Sequence, residues 1–244
     1  LSNFDTSNVT DMSFMFSSCS NLTTLNVSHF NTSKVTTMEG MFASCKNLES
    51  LDIGNWNVSN VKVFGGLYKG MFFECSSLTK LDIGSWDTSS ATSFNCMFFR
   101  CSKLESLDLN SWNTTNLTNL TATFADCTNL KTLEVSNWDV SNVIHVYDGG
   151  PGKGTFSGCS SLTELDLSGW ELSKVTNMAQ MFREMSALKK LDLSSFDMTN
   201  VTSVGRLIAF SQNIEELNLS SFSVSQVESV LSEEFINKNM TVYV

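Results

Sequence analysis

The chain has 244 residues, with 25 acidic and 15 basic side chains and a net charge of -10. This balance argues against a nucleic-acid surface, which needs clustered Lys and Arg to neutralise phosphates. No apolar run approaches the roughly 20 residues that a membrane span requires, so we expect no membrane insertion in this segment. The sequence begins at Leu1, without Met and in the middle of a repeat. We therefore expect a segment of a longer protein, with any signal or anchor sequence outside it.

A unit of 26 residues repeats along the chain. When the copies are aligned on the Leu that opens an LDL-like triplet, repeats start near residues 25, 51, 81, 107, 133, 165, 191 and 217. Two intervals are longer, 30 and 32 residues, and the step returns to 26 after each. A constant step of this length is typical of solenoids, in which each coil contacts only its neighbours. We therefore predict a single solenoid domain over residues 1–244.

Each unit opens with alternating apolar and polar residues, as in Leu107, Asp108 and Leu109. This alternation predicts a short strand, and neighbouring coils should pair their strands into a parallel sheet. The following V-x-x-M-x-x-M-F-x-x-C-x-x-L stretch predicts a second short strand and a helical or 3₁₀ turn on the other face. The predicted fold class is α/β to mainly β, a right-handed leucine-rich-repeat solenoid of about nine coils.

Apolar columns that recur once per coil should stack into one continuous core. One strand column is always Leu, Val or Ile. Because aromatic side chains bury the largest areas, we assign the two aromatic columns to the core and not to a ligand. The first is Phe4, Phe30, Trp56, Trp86, Trp112, Trp138, Trp170, Phe196 and Phe222, and the second is Phe16, Phe42, Phe72, Phe98, Phe124, Phe156 and Phe182.

The repeat pattern decays at the C-terminus. Glu233 and Glu234 stand where other units have Met and Phe, and residues 241–244 have the pattern of a last strand. A terminal coil needs a polar outer face, because that face meets water. We therefore predict that residues 217–244 form a capping coil, and we find no comparable cap at the N-terminus.

Cysteines form a further column. Secretion would suggest a disulfide framework, which remains an alternative. We favour a reduced, buried ladder, because Met185 and Ser211 continue the column and stacked Cβ vectors point the same way. Cys96 lies outside the column and is predicted to be the exposed thiol. No C-x-x-C pair supports zinc. The column is Cys19, Cys45, Cys75, Cys101, Cys127 and Cys159.

Two stretches carry a family resemblance: FDTSNVTDMSFMFSSCSNLTTL at residues 4–25 and WELSKVTNMAQMFREMSALKKLDLS at residues 170–194. They resemble the BspA-like leucine-rich-repeat family of bacterial surface proteins, in the branch first described as a mycoplasma domain of unknown function. The resemblance covers essentially the whole chain. It implies a secreted or cell-surface location and, in some members, attachment to host matrix proteins or to other cells. It implies no catalytic residue and carries over no binding residue.

The two longer intervals are insertions at the same point of the repeat, within residues 65–70 and 147–154. They should emerge on one edge of the solenoid, about 15 Å apart. Insertions often build the binding face of repeat proteins, and Tyr gives a large contact area at low entropic cost. Tolerated surface loops without a ligand are the alternative. The candidate partner-binding residues are Tyr68, Lys69, Tyr147, Asp148 and Lys153.

An acidic column lies between the two strand leucines. Because strand side chains alternate, it faces away from the core. Like charges about 4.8 Å apart repel, so we expect compensation. Lys80, Lys131, Lys189 and Lys190 could supply part of it, and Ca²⁺ or a basic partner the rest. The acidic column is Asp52, Asp82, Asp108, Glu134, Asp166 and Asp192.

The sequence favours an extracellular protein-binding or adhesion module of a bacterial surface protein. The partner would be a host matrix protein, a host cell-surface protein or a partner-cell protein. We expect a monomeric fragment with no cofactor other than Ca²⁺ at the acidic column. An enzyme is disfavoured, because His29 and His145 lie in different repeats and no nucleophile, base and orienting residue can be assembled. The alternative is a structural spacer that displays another domain and has no ligand of its own.

Overall fold

The computed structural model describes residues 1, 3–66, 69–149 and 152–244, which form a β-solenoid of about eight turns with little helix. The predicted leucine-rich-repeat fold class is confirmed, with about eight turns where the sequence predicted about nine coils. In chain order the elements are β1 (Thr24–Leu25), β2 (Ser50–Leu51), β3 (Val63–Gly65), β4 (Ser93–Phe94), β5 (Ser106–Asp108), β6 (Thr132–Glu134), β7 (Lys190–Asp192), β8 (Glu216–Asn218), α1 (Val224–Leu231) and β9 (Thr241–Tyr243).

Two ladders of parallel strands run along the solenoid. In the first, β1 pairs with β2, β5 pairs with β6, and β8 lies between β7 and β9. The register joins equivalent leucines, for example Leu107 to Leu133 and Leu191 to Leu217. The second ladder contains β3 and β4 and continues as isolated parallel bridges, for example from Asn119 to His145. It corresponds to the second short strand expected from the sequence.

The segment after the second ladder is a run of single turns. In the first coil, main-chain N–H groups of Ser17 and Cys19 donate to carbonyls three residues earlier. Phe14 (φ 58°) and Ser18 (φ 64°) have left-handed backbone conformations and prevent a continuous helix. A left-handed conformation costs about 1–2 kcal/mol at a non-glycine residue. Hydrogen bonds to the next coil help to offset this cost, as from Ser18 N to the Ala43 carbonyl (2.7 Å).

The predicted aromatic columns stack in the core except at the N-terminus, where Phe4 is 57% exposed and its assignment to the core is wrong. Neighbouring Phe rings of the second column have centroids 5.6–5.8 Å apart, with nearly parallel planes. The Trp86, Trp112, Trp138 and Trp170 rings stack at 6.1–6.2 Å. Equal coil lengths bring like residues into register, so each ring packs on its own counterpart.

Each tryptophan also ties its coil to the preceding one. The Trp138 Nε1–H donates to the Leu109 carbonyl at 2.9 Å, and the other four indoles make the equivalent bond at 3.0–3.1 Å. Where the column holds Phe196, the hydroxyl of Ser195 donates instead to the Leu167 carbonyl (3.2 Å). A serine thus replaces the indole as donor to the strand carbonyl.

The cysteine column donates hydrogen bonds in the same direction. The thiol of Cys101 lies 3.1 Å from the Phe72 carbonyl, and the Ser211 hydroxyl makes the equivalent bond to Phe182 at 2.8 Å. Cys45 to Cys159 of the column are buried and free, whereas Cys19 is exposed. Burial raises the pKa of the Cys159 thiol to about 12, so it stays protonated and available as a donor.

The prediction that Cys96 is the exposed thiol is wrong. Cys96 is fully buried and packs with Phe99, Ala122 and Ala125 in a small cluster separate from the main core. It has a left-handed backbone (φ 54°) and occupies the same turn position as Gly40 and Ala122. At this turn position the side chain is buried. A place outside the main cysteine column therefore did not indicate exposure.

The last coil differs from the others. Helix α1 begins with a capping box between Ser223 and Gln226, and Gln226 Nε2 donates to the Val201 carbonyl (2.9 Å). The Glu233 carboxylate accepts hydrogen bonds from the main-chain N–H groups of Leu207 (2.6 Å) and Ile208 (3.0 Å). The Leu207 N–H also donates to the Val204 carbonyl (3.1 Å), whereas Ile208 stands at the position that bonds the next coil elsewhere, as the Phe182 N–H does to the Leu207 carbonyl (2.9 Å). Glu233 therefore accepts main-chain hydrogen bonds at the point where the repeat motif ends.

We predict that Trp138→Phe lowers the free energy of unfolding by about 1 kcal/mol, the net contribution of one hydrogen bond. Adding Asn137→Ser should recover part of this loss, because Ser195 serves the equivalent carbonyl beside Phe196. Urea denaturation of the single and double variants checks this. Asn137→Ser alone is the control, and a double variant no more stable than Trp138→Phe would contradict the serine replacement.

Glu233 predicts a pH dependence of stability. Burial raises its pKa to about 7, above an ordinary value of 4.5. The folded protein therefore binds this proton more tightly than the unfolded chain, and stability rises as pH falls from about 7 toward 4.5. Thermal melts at pH 5.5 and 8 should show a Tm about 2–4 °C higher at pH 5.5, the shift that about 1 kcal/mol gives a domain of this size. Glu233→Gln should remove most of this difference, and an unchanged difference would assign it to other groups.

Candidate functional site

The exposed residues of the first strand ladder form a strongly acidic surface, here called the strand face. It comprises the acidic column and the two exposed columns that precede the strand leucine, for example those of Glu215 and Glu216 before Leu217. The carboxylates outnumber the lysines almost threefold. They are Glu49, Asp52, Asp82, Glu105, Asp108, Glu134, Glu164, Asp166, Asp192, Glu215 and Glu216, against Lys80, Lys131, Lys189 and Lys190.

The predicted compensation of the acidic column by lysines is only partial: three of the four lysines form salt bridges outside the column, although Lys190, after the hydrogen bonds of Ser194, also helps to lower the pKa of Asp192. Lys131 pairs with Glu105 (3.2 Å). Lys189 pairs with Glu215 (2.6 Å) and Lys190 with Glu216 (3.3 Å). These partners belong to the neighbouring columns, because equivalent positions of adjacent coils lie side by side. Among the described residues, the ion pairs of the strand face therefore leave the acidic column itself without a salt-bridge partner.

Local turns hold part of the acidic column instead. Asp166 Oδ1 accepts from Ser168 N (3.0 Å), and Asp192 Oδ1 accepts from both the N–H and the hydroxyl of Ser194 (3.0 and 2.7 Å). These hydrogen bonds lower the pKa of both carboxyl groups, so they are ionised at neutral pH. Asp166 and Asp192 are thus fixed negative charges facing solvent, and the other carboxylates of the column are exposed as well.

The strand face opens locally at residues 163–167. The residue before β2, β6 and β8 donates its N–H to the same position of the preceding coil, at 3.1 Å for Glu49, 2.9 Å for Lys131 and 2.7 Å for Glu215. These bonds lengthen to 3.3 and 3.4 Å on the two sides of Thr79. Within the described residues, positions 163–167 make no such bond to either neighbouring coil. Sequence reasoning missed this opening, because Leu165 is the same residue type as its counterparts.

The second insertion has an internal electrostatic role. Lys153, with its side chain 18% exposed, pairs with Asp126 (3.1 Å) and Glu184 (2.9 Å). Its own coil has Gly158 at the position equivalent to these acids, so Lys153 supplies the missing cation. The resulting chain of ion pairs crosses the edge of the solenoid through Lys46, Glu74, Arg100, Asp126, Lys153, Glu184 and Arg183.

The other insertion candidates are only partly brought together. Tyr147 is half-buried, and its hydroxyl lies 3.4 Å from Gln180 Nε2. Asp148 is exposed on the same loop; burial, together with the Asp148 charge, raises the pKa of the Cys96 thiol. An antiparallel bridge between Gly65 and Gly70 closes the first insertion. Lys69 is partly exposed beside this bridge, and Tyr68 lies outside the described residues. A binding role for these five residues stays a prediction.

The structure gives no support to metal binding by the acidic column. Across the described residues, no group of three His, Cys, Asp or Glu lies close enough to hold a metal ion. The two histidines remain far apart in sequence and in different coils: the His29 ring packs against Phe30, and His145 lies in the second strand ladder. No helix in the described part of the chain is long and apolar enough to cross a membrane.

Stacked leucine strands, ladders of buried side chains and bonds from coil to coil define a leucine-rich-repeat solenoid. Residues 1–71, 68–148 and 153–239 match the family described as "Mycoplasma protein of unknown function, DUF285". The chain belongs to this family, and the resemblance to the mycoplasma repeat branch is confirmed. No curated relative matches the sequence.

Solved structures with leucine-rich repeats are similar over most of the chain. A leucine-rich cell-surface protein from Faecalibacterium prausnitzii is 14% identical, with 91% of this chain and 78% of the other covered and a TM-score of 0.34. A leucine-rich-repeat protein from Bacteroides ovatus is 19% identical, with 97% and 81% covered and a TM-score of 0.24. One from Leptospira interrogans is 14% identical, with 92% and 72% covered and a TM-score of 0.26. None of these likenesses assigns a partner to this chain.

The ion pairs of Lys153 can be tested by its removal. We predict that Lys153→Ala lowers the free energy of unfolding by about 1–3 kcal/mol, because a partly buried cation is lost and two carboxylates are left without it. Lys131→Ala removes an exposed pair, whose side chains are 63% and 60% exposed, and should cost about 0.5 kcal/mol or less. Urea denaturation measures both. Equal losses in the two variants would contradict the internal role of Lys153.

Proposed function

We propose that the chain is an extracellular protein-binding module of a bacterial surface protein, and that its strand face binds a positively charged segment of a partner protein. The acidic column carries this proposal. Its carboxylates are exposed and lack salt-bridge partners among the described residues, whereas the nearby Lys131, Lys189 and Lys190 are paired with glutamates outside the column. A cationic partner would relieve the repulsion along the column.

The extracellular location rests on the resemblance to BspA-like surface proteins. The partner would be a host matrix protein, a host cell-surface protein or a protein of a partner cell. The strand face is preferred to the inserted loops as the contact surface. Its charge is continuous over several coils, whereas Lys153 is engaged within the solenoid.

A fluorescent Lys-rich peptide tests the proposal directly. We predict that Asp108→Asn, Glu134→Gln and Asp166→Asn together weaken its binding by at least about tenfold, because three charges are removed from one face. Binding should also weaken between 50 and 300 mM salt, as screening shortens the range of exposed charges. Fluorescence anisotropy with the folded variant gives both dissociation constants.

The matched control removes the same charge elsewhere. Glu171→Gln, Glu228→Gln and Glu234→Gln neutralise three exposed acids outside the strand face, and binding should change less than about twofold. Equal weakening in the two triple variants would reduce the effect to net charge and contradict a strand-face site. Absence of measurable binding by the wild-type chain would favour the structural spacer.

A further inference from the structure

The opening at residues 163–167 is confined to the strand face. Elsewhere, the same coil packs normally on its neighbour: Phe124 and Phe156 stack at 5.8 Å, and Trp138 and Trp170 at 6.1 Å. The Trp170 indole also donates to the Val135 carbonyl (3.0 Å). The coil is therefore held along its core while its strand stands apart from the ladder.

Opening the ladder changes the environment of Leu165. The equivalent leucines of other inner coils are buried, for example Leu133 and Leu191, whereas Leu165 is partly exposed. Leu25 is the other partly exposed member of this column, and it lies in the first strand of the described ladder. Leu165 thus offers apolar surface within the strand face itself, amid charged residues.

A hollow lies over this leucine. It has a volume of about 460 Å³ and is lined by Leu165, Glu164, Asp166, Lys190 and Asp192 among others. A second hollow of about 160 Å³ adjoins it, shares Lys190 and Asp192, and reaches Tyr243. The two hollows together are here called the groove. Tyr243 is half exposed, so the groove has apolar surface at both ends. The larger hollow has the size of a small-molecule pocket and exceeds the volume of one amino-acid side chain.

The charges around the groove select for a cationic occupant. Lys189 and Lys190 are each paired with a glutamate of the following coil. Asp166 and Asp192 are instead held in place by serine hydrogen bonds and remain ionised. The groove therefore presents fixed negative charges on either side of apolar surface.

We propose that the Leu165 hollow is the anchor of the binding surface and receives an apolar side chain that is flanked by Lys or Arg in an extended segment of the partner. The proposal rests on the strand-face function and specifies its partner. Apolar anchors in pockets supply most of the energy of an interface, while surrounding charges steer and orient the partner. Within the described residues, the main-chain groups of residues 163–166 make no hydrogen bond to a neighbouring coil, and they lie where such a segment would run.

Two matched peptides separate the anchor from the charge. Both carry the same flanking lysines, and the central residue is Leu in one and Ala in the other. We predict that the wild-type chain binds the Leu peptide about fivefold to tenfold more tightly, the gain expected when the extra methyl and methylene groups of Leu are only partly buried in an open hollow. Leu165→Ala should remove this preference. Leu25→Ala, a partly exposed member of the same column, should keep it.

The possible outcomes distinguish the two proposals. Equal affinity for the two peptides would overturn the anchor and leave the acidic strand face intact. A Leu preference that survives Leu165→Ala would also overturn it, by placing the apolar contact elsewhere. If the wild-type chain bound neither peptide, the strand-face function itself would be overturned. Thermal melts of both variants confirm that any loss arises in a folded chain.

Discussion

In-register stacking of coils is the constraint on which the rest of the structure depends. Each coil must offer hydrogen-bond donors where its neighbour offers carbonyls, and an apolar group where its neighbour offers one. Main-chain ladders satisfy only part of this demand, because the strands are two or three residues long. Trp138 and Cys101 supply further donors, and Ser195 and Ser211 supply them where the aromatic or thiol is absent. Residues of different types thus supply the same hydrogen bond to the neighbouring coil.

The same constraint explains the composition of the turns. A left-handed residue before each cysteine position reverses the chain within a few residues, and its N–H then bonds the next coil. This position holds small residues at Ser18, Ser44 and Gly158 and larger ones in the other coils. Where charged residues do occupy it, their signs alternate from coil to coil, as with Glu74, Arg100 and Asp126. The Lys153 loop continues that alternation past Gly158, which has no side chain.

The repeat period predicted the features that depend on equal coil lengths. It predicted few of the features that arise where coil length or backbone conformation departs from the repeat. The aromatic ladders and the pairing of Leu107 with Leu133 could be read from a 26-residue step, because equal steps bring like residues together. Burial of Cys96 could not, since it follows from a left-handed turn that no apolar pattern marks. The ion pairs of Lys153 escaped prediction because an insertion has no register. The exposure of Leu165 escaped prediction because its residue type matches that of its buried counterparts.

The insertions and the opened strand are connected by the chain. The four-residue insertion precedes the strand position at Thr79, where the bonds between coils lengthen to 3.3 and 3.4 Å. The six-residue insertion precedes residues 163–167, where, within the described chain, these bonds are absent. In these two coils an insertion thus accompanies weaker bonding between strands, while the Phe column stays stacked at 5.8 Å across both insertions. An insertion that touches no partner can therefore shape a binding surface, because coils that are fixed at the core open at the strand when their outer edge is enlarged. On this argument, the two loops matter to recognition through the strand face that they distort.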